Sequence, residues 1–186
     1  MVEIRTARLL LRPFRPQDEE PLFHLWNEPQ VGRYLWDGQP VSREAVRQQI
    51  ALSEQDFRQR GLGGFCLFLA EHPEALIGFC GLRAIDGGTD IEVLYGLRPE
   101  CWGQGLATEA TRAVLRFGFE QAGLEEIFAG ADFDNTASIR CMERLGMTDV
   151  GERRVGPEAL PARYYRLLRQ DFAVGEGGPG GLSRNR

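Results

Sequence analysis

The chain has 186 residues, 42% of them hydrophobic and 26% charged, and a net charge of −5. That describes one ordinary soluble domain with enough apolar residues for a proper core, and an acidic balance without a basic stripe argues against a nucleic-acid surface. No apolar run reaches membrane-spanning length or forms a signal-peptide core at residues 1–6, and Cys66, Cys80, Cys101 and Cys141 lack metal-ligand spacing. The expectation is a cytoplasmic protein with reduced thiols, no metal, and no nucleic-acid or membrane partner.

Arg8–Phe14 reads as a strand closed by Pro13. Pro16–Asn27 follows as a helix, with Leu22, Leu25 and Trp26 on its apolar side and Asp18, Glu19 and Glu20 at its positive end. Glu28–Pro40 is a loop carrying Tyr34, Leu35 and Trp36. Ser42 caps Arg43–Gln59, a surface helix that docks one face through Ala45, Val46, Ile50, Leu52 and Phe57. Phe65–Ala70 and Leu76–Leu82 make a hairpin turning at His72-Pro73-Glu74; both runs are apolar enough to be covered on two faces.

Asp86-Gly87-Gly88 then turns the chain into a strand, Asp90–Leu97, ended by Arg98-Pro99. Trp102-Gly103-Gln104-Gly105 forms a turn of little bulk, and a helix over Thr108–Gln121 follows. Glu126–Ala131 is a strand parallel to Asp90–Leu97 through that helix. Asn135–Leu145 is a short helix capped by Asn135 and stopped by Gly146, and Asp149–Val155 pairs antiparallel with Ala162–Leu168. Residues 1–174 form one domain, and the tail from 175 to 186 lacks the apolar content to pack.

The glycine-bounded turn feeding a helix leaves backbone N–H groups pointing outward at a positive helix end, a seat for phosphate. A tight connection that binds nothing has the same sequence. A P-loop is excluded, because Leu106-Ala107-Thr108 stands where Gly-Lys-Ser/Thr is required. A dinucleotide fingerprint is excluded by threonine at 108 in place of its third glycine.

The stretch Trp102–Ala110 (WGQGLATEA) resembles the acyl-CoA diphosphate loop of the GNAT N-acetyltransferases, in the form used by the RimJ/RimL-type branch. Glu100 departs from the Gln or Arg usual there. The resemblance, over roughly Thr6 to Phe172, implies a mixed α/β GNAT fold with about six to seven strands, splayed between its two parallel central strands, and about four flanking helices. It implies acetyl-CoA as donor, held without metal by Leu94, Tyr95, Arg98, Trp102, Gly103, Gln104, Gly105, Leu106, Ala107, Thr108, Asn135 and Ser138. The exposed N–H near Leu94 would meet the thioester oxygen.

An acid in an apolar strand beside the cofactor gap makes Glu92 the candidate base that deprotonates the acceptor amine; the alternatives are an edge or solvent-facing glutamate, or an ion pair with Arg83 or Arg98. The aligned run Asn135–Arg144 carries Met142 where many relatives have a catalytic tyrosine, and the resemblance moves the general acid to Ser138. Tyr164 and Tyr165 are outside candidates for that role or core aromatics. Arg98 and Arg140 either pair with CoA phosphates or stay solvated, and His24 reads as a surface histidine or a base. Tyr34 and Trp36 line the acceptor pocket or anchor their loop. The implied reaction is acetylation of a primary amine, with a protein or peptide N-terminus favoured over polyamines, amino acids or antibiotics. A non-catalytic acyl-CoA-binding module is the alternative, and the protein is a monomer or homodimer.

Overall fold

The computed structural model describes residues 2–156 and 158–176. Its strands are β1 (Ile4–Arg5), β2 (Leu9–Pro13), β3 (Gly64–Leu69), β4 (His72–Ala84), β5 (Ile91–Leu97), β6 (Glu126–Ala131), β7 (Thr148–Val155) and β8 (Leu160–Leu168). Its helices are α1 (Glu19–Trp26), α2 (Pro29–Gly32), α3 (Arg43–Arg60), α4 (Leu106–Glu120), α5 (Thr136–Arg144) and α6 (Arg169–Glu176). Among the described residues the strands form one eight-stranded sheet in the order β1-β2-β3-β4-β5-β6-β8-β7. Every neighbouring pair is antiparallel except β5 and β6.

The sheet has a core on each face because its strands alternate. On β2 and β3, Leu9, Leu11, Phe65 and Leu67 face the core shared with α4 and α5, while Cys66 and Phe68 face the core shared with α1 and α3. On β5, Ile91, Val93 and Leu97 take the first face and Leu94 the second. Cys66, Cys80 and Cys141 are buried in these cores, as their apolar settings predict.

The sequence reading of class and element order holds, with local corrections. Two further helices and the strand β1 add to the expected counts. α2 lies inside the expected loop, where Pro29 supplies a first helical turn, and Pro16–Asp18 is a 3-10 turn ahead of α1. The hairpin turns at 70–71, and His72-Pro73-Glu74 belongs to β4. Leu69 pairs His72 and Phe68 pairs Leu76, so Pro73 falls in a bulge that asks no N–H of it. α3 is capped by Ser42, whose Oγ accepts from Ala45 N at 3.1 Å, but Leu52 is 52% exposed. Val46, Ile50 and Ser53 form the docked side, and Leu52, next to Ser53, is turned about 100° from it around the helix. α4 starts at Leu106, two residues before the expected Thr108. The expected tail begins inside α6, and residues 177–186 lie outside the described residues.

Candidate active site

β5 delivers the chain to a turn whose conformation depends on glycine. Gly103 and Gly105 have φ of 72° and 76°, the left-handed region that costs other residues free energy. Gly105 is the N-cap of α4 and offers no side chain to bond the helix amides. The first helical bond runs from Glu109 N to Gly105 O at 3.0 Å, which leaves the N–H groups of Leu106, Ala107 and Thr108 without intrahelical acceptors. The N–H groups of Gly103, Gln104 and Gly105 also have no acceptor among the described residues. A run of unpaired donors at the positive end of a fifteen-residue helix is an anion seat.

Side chains beside the turn hold it in place. Trp102 Nε1 donates to Leu97 O at 2.8 Å, Gln104 Nε2 to Glu100 O at 2.9 Å, and Arg98 Nε to Leu76 O at 2.7 Å. Trp102 and Arg98 thus fasten the end of β5, while Arg140 is exposed on α5. From Gly105 an open groove of about 620 Å³ runs along α4, with Arg112 and Arg144 among its walls.

β5 and β6 meet at a single register, Glu92 opposite Phe128, and part beyond it. Leu94 and Tyr95 therefore stand in the part of β5 that lines the gap. The alternation of the strand sends Glu92 and Leu94 to the α1/α3 face and Tyr95 to the α4/α5 face. Glu92 is 6% exposed; its Oε1 accepts from Arg83 Nε at 2.8 Å and its Oε2 from the Tyr164 hydroxyl at 2.9 Å. Glu92 is therefore buried and not solvent-facing, and the ion pair with Arg83 is present. Tyr164 reaches Glu92 from β8 by lying across β6 at Gly130, where a Cβ would meet its Cζ at 2.7 Å. Burial, and then the Glu92 carboxylate, push the Tyr164 phenol up from its ordinary value, so it remains a donor.

On the opposite face, the Tyr95 hydroxyl lies 2.9 Å from Ser138 Oγ and donates to Ser138 O at 3.2 Å. Burial is the main cause that raises the Tyr95 phenol well above its usual value. Asn135 caps α5, its Oδ1 accepting from Ser138 N at 3.1 Å. Met142, at the tyrosine position, is fully buried in the core. A phenol does reach α5, but from β5 and not from α5 itself.

The loop over residues 28–40 that carries Tyr34 and Trp36 packs against the body of the protein. Trp36 packs on Trp26 with ring centroids 5.6 Å apart, and Arg33 stacks over Tyr34 at 5.1 Å. Arg33 Nη2 also donates to Asp134 Oδ2 at 2.6 Å, tying this loop to the connection between β6 and α5. His24 is an exposed residue paired with Glu20 at 2.8 Å, which suits the surface reading. Tyr165 is buried in the α4/α5 core.

Thr6 and Arg8 carried no sequence signal, and Glu109 lies in the stretch Trp102–Ala110 with no role read from it. Thr6, Arg8 and Glu109 converge on the glycine turn, 96 residues separating Arg8 from Gln104, a contact that no local pattern encodes.

Residues 8–148 match the family model described as an acetyltransferase (GNAT) domain, a span that takes in the turn, the parted strands and α5. The chain belongs to the GNAT acetyltransferases. This GNAT enzyme is 26% identical over 178 residues to the uncharacterized N-acetyltransferase p20 of Bacillus licheniformis, covering 93% of this chain and 99% of that protein. A GNAT-family acetyltransferase structure from Bacillus anthracis superposes with a TM-score of 0.73 at 26% identity, over 91% of this chain and 99% of the other. RimL, the ribosomal L7/L12 α-N-protein acetyltransferase, solved with coenzyme A, gives a TM-score of 0.74 at 18% identity, over 90% of this chain and 98% of that one, and shares the fold.

Proposed function

We propose that this GNAT enzyme transfers an acetyl group from acetyl-CoA to a primary amine, and that a protein or peptide N-terminus is its preferred acceptor. The observation that carries the reading is the run of unpaired N–H groups from Gly103 to Thr108 at the mouth of the gap between β5 and β6. The N–H groups hold the diphosphate, and the unpaired edge of β5 at Leu94 and Tyr95 takes the pantetheine arm. Acetyl-CoA supplies a thioester carbonyl open to a neutral amine.

Glu92 and Ser138 lie toward opposite faces of the sheet, joined by the gap. On the Glu92 face the amine loses a proton to the carboxylate through water; two of the carboxylate's roughly four lone-pair sites remain after Arg83 and Tyr164 are served. On the other face Ser138 hands its proton to the departing sulfur, and the Tyr95 hydroxyl, 2.9 Å away, turns to give its own proton to the serine oxygen and regains one from solvent. An α-amine with pKa about 8 asks less of Glu92 than a lysine at about 10.4. The protein acceptor of RimL, which shares this fold, and the net charge of −5 are in keeping with a cationic amine at a chain terminus.

The second reading, a module that binds acyl-CoA without turnover, is favoured by Met142 and by the two partners already on Glu92. Thiol release from acetyl-CoA across N-terminal peptides, polyamines and aminoglycosides separates the readings, with Glu92→Gln in parallel. Turnover on peptides that falls in the variant supports the proposal. CoA binding without turnover on any amine supports the module.

A further inference from the structure

The turn between β1 and β2 reaches the glycine turn through one arginine. Arg8 Nη1 donates to Gln104 O at 2.9 Å. The same guanidinium donates through Nε to Glu109 Oε2 at 2.7 Å, with Nη2 2.6 Å from that oxygen. Arg8 N and the Thr6 hydroxyl both donate to Glu109 Oε1, at 3.0 and 2.6 Å. Thr6 Oγ1 in turn accepts from Leu9 N at 2.9 Å, so the clamp is anchored where β2 begins.

Two consequences follow from elementary geometry and charge. A trans peptide is planar, so the N–H of Gly105 points opposite to the carbonyl of Gln104, and the chain has no cis peptide among its described residues. By holding that carbonyl, Arg8 turns the Gly105 N–H away from the β1–β2 turn. Glu109 also sits in the first turn of α4, where its charge opposes a diphosphate, and the guanidinium cancels it. Burial pushes the Glu109 carboxyl up, yet hydrogen bonds from Thr6 and Arg8 outweigh it and hold the group below its usual value. The carboxylate is therefore a fixed charge that needs its cation.

We infer that Arg8 is a positioning residue for the donor site, aiming the Gly105 N–H at the diphosphate and neutralising Glu109 beside it. The inference rests on the acetyl-CoA reading above and adds to it a residue remote in sequence. Arg8 is 48% exposed and Glu109 19%, so solvent screens the pair, and loss of Arg8 should show far more in binding than in stability.

The test compares full-length wild type, Arg8→Met, Glu109→Gln and the double variant, by calorimetric titration with CoA and by thermal unfolding without ligand. The expected Kd for CoA rises about tenfold or more in Arg8→Met, with little change in the unliganded Tm. Adding Glu109→Gln recovers part of the loss, because the uncancelled charge is gone. A Kd within about twofold of a CoA-binding wild type overturns this inference alone. A double variant no better than Arg8→Met, or a Tm that falls in step with affinity, makes the clamp merely structural and also overturns it. A wild type that does not bind CoA overturns the donor reading and this inference together.

Discussion

Glu92→Gln tests whether the buried acid works on the amine or only supports its neighbours. The side chain is 8% exposed, and its partner Arg83 is 52% exposed. In the variant the amide oxygen still accepts from Tyr164, and the amide NH₂ then faces the Arg83 donors. Arg83 relieves that clash by swinging into water. The loss is one charge-assisted hydrogen bond discounted for Arg83's exposure, plus a weaker bond to Tyr164, about 1–2 kcal/mol in all. For a chain of this size that lowers Tm by about 2–8 °C. If Glu92 accepts the amine proton, kcat falls by about 10²–10⁴, far more than so small a loss of stability explains. Initial rates of thiol release at saturating acetyl-CoA over a pH series, with thermal unfolding alongside, read both quantities. A variant that loses the expected stability but keeps kcat within about threefold refutes the base assignment and leaves Glu92 as an anchor for Tyr164 and Arg83.

Gly130→Ala places a methyl against the Tyr164 ring and should cost about 1–3 kcal/mol of stability, measured by urea unfolding, because the ring cannot shift without releasing Glu92. Ser138→Ala should lower kcat with little effect on KM for acetyl-CoA, and the loss should shrink with acyl donors whose thiols leave more readily; an equal loss with every donor would argue against a proton-donor role. The pH dependence of Glu109 has a definite sign. Its folded carboxyl titrates below the unfolded one, so its contribution is present above the unfolded value of about 4.3 and lost as pH falls through the lower folded value. Wild type and Glu109→Gln should therefore differ most in denaturant midpoint near neutrality and converge as pH falls through the lower folded value.

The strands that carry the site were legible because their signals are local. The continuous apolar runs of β3 and β4 announce burial on both faces, and Gly103 and Gly105 announce a turn of little side-chain bulk. Asn135 and Ser42 announce helix starts, and both side chains accept the expected amide. The hairpin turn was misplaced because Pro73 reads as a breaker in sequence, whereas a bulge in β4 removes the need for its N–H. Leu52 counts as apolar in any window, but the docked line of α3 is set by what packs against it.

Residue type and local spacing place the glycine turn at the start of α4, the acid within β5, the serine one turn into α5 and the family these belong to. Those features depend on residue type and spacing over a dozen positions or fewer. Folding of the whole chain is needed before Glu92 meets Tyr164, 72 residues away, or Gln104 meets Arg8. It also decides that β5 and β6 part after one pairing, with the two candidate groups directed to opposite faces. Such contacts arise when packing the two cores brings distant strands to one place, and hydrogen bonds that close only then leave no periodicity along the chain.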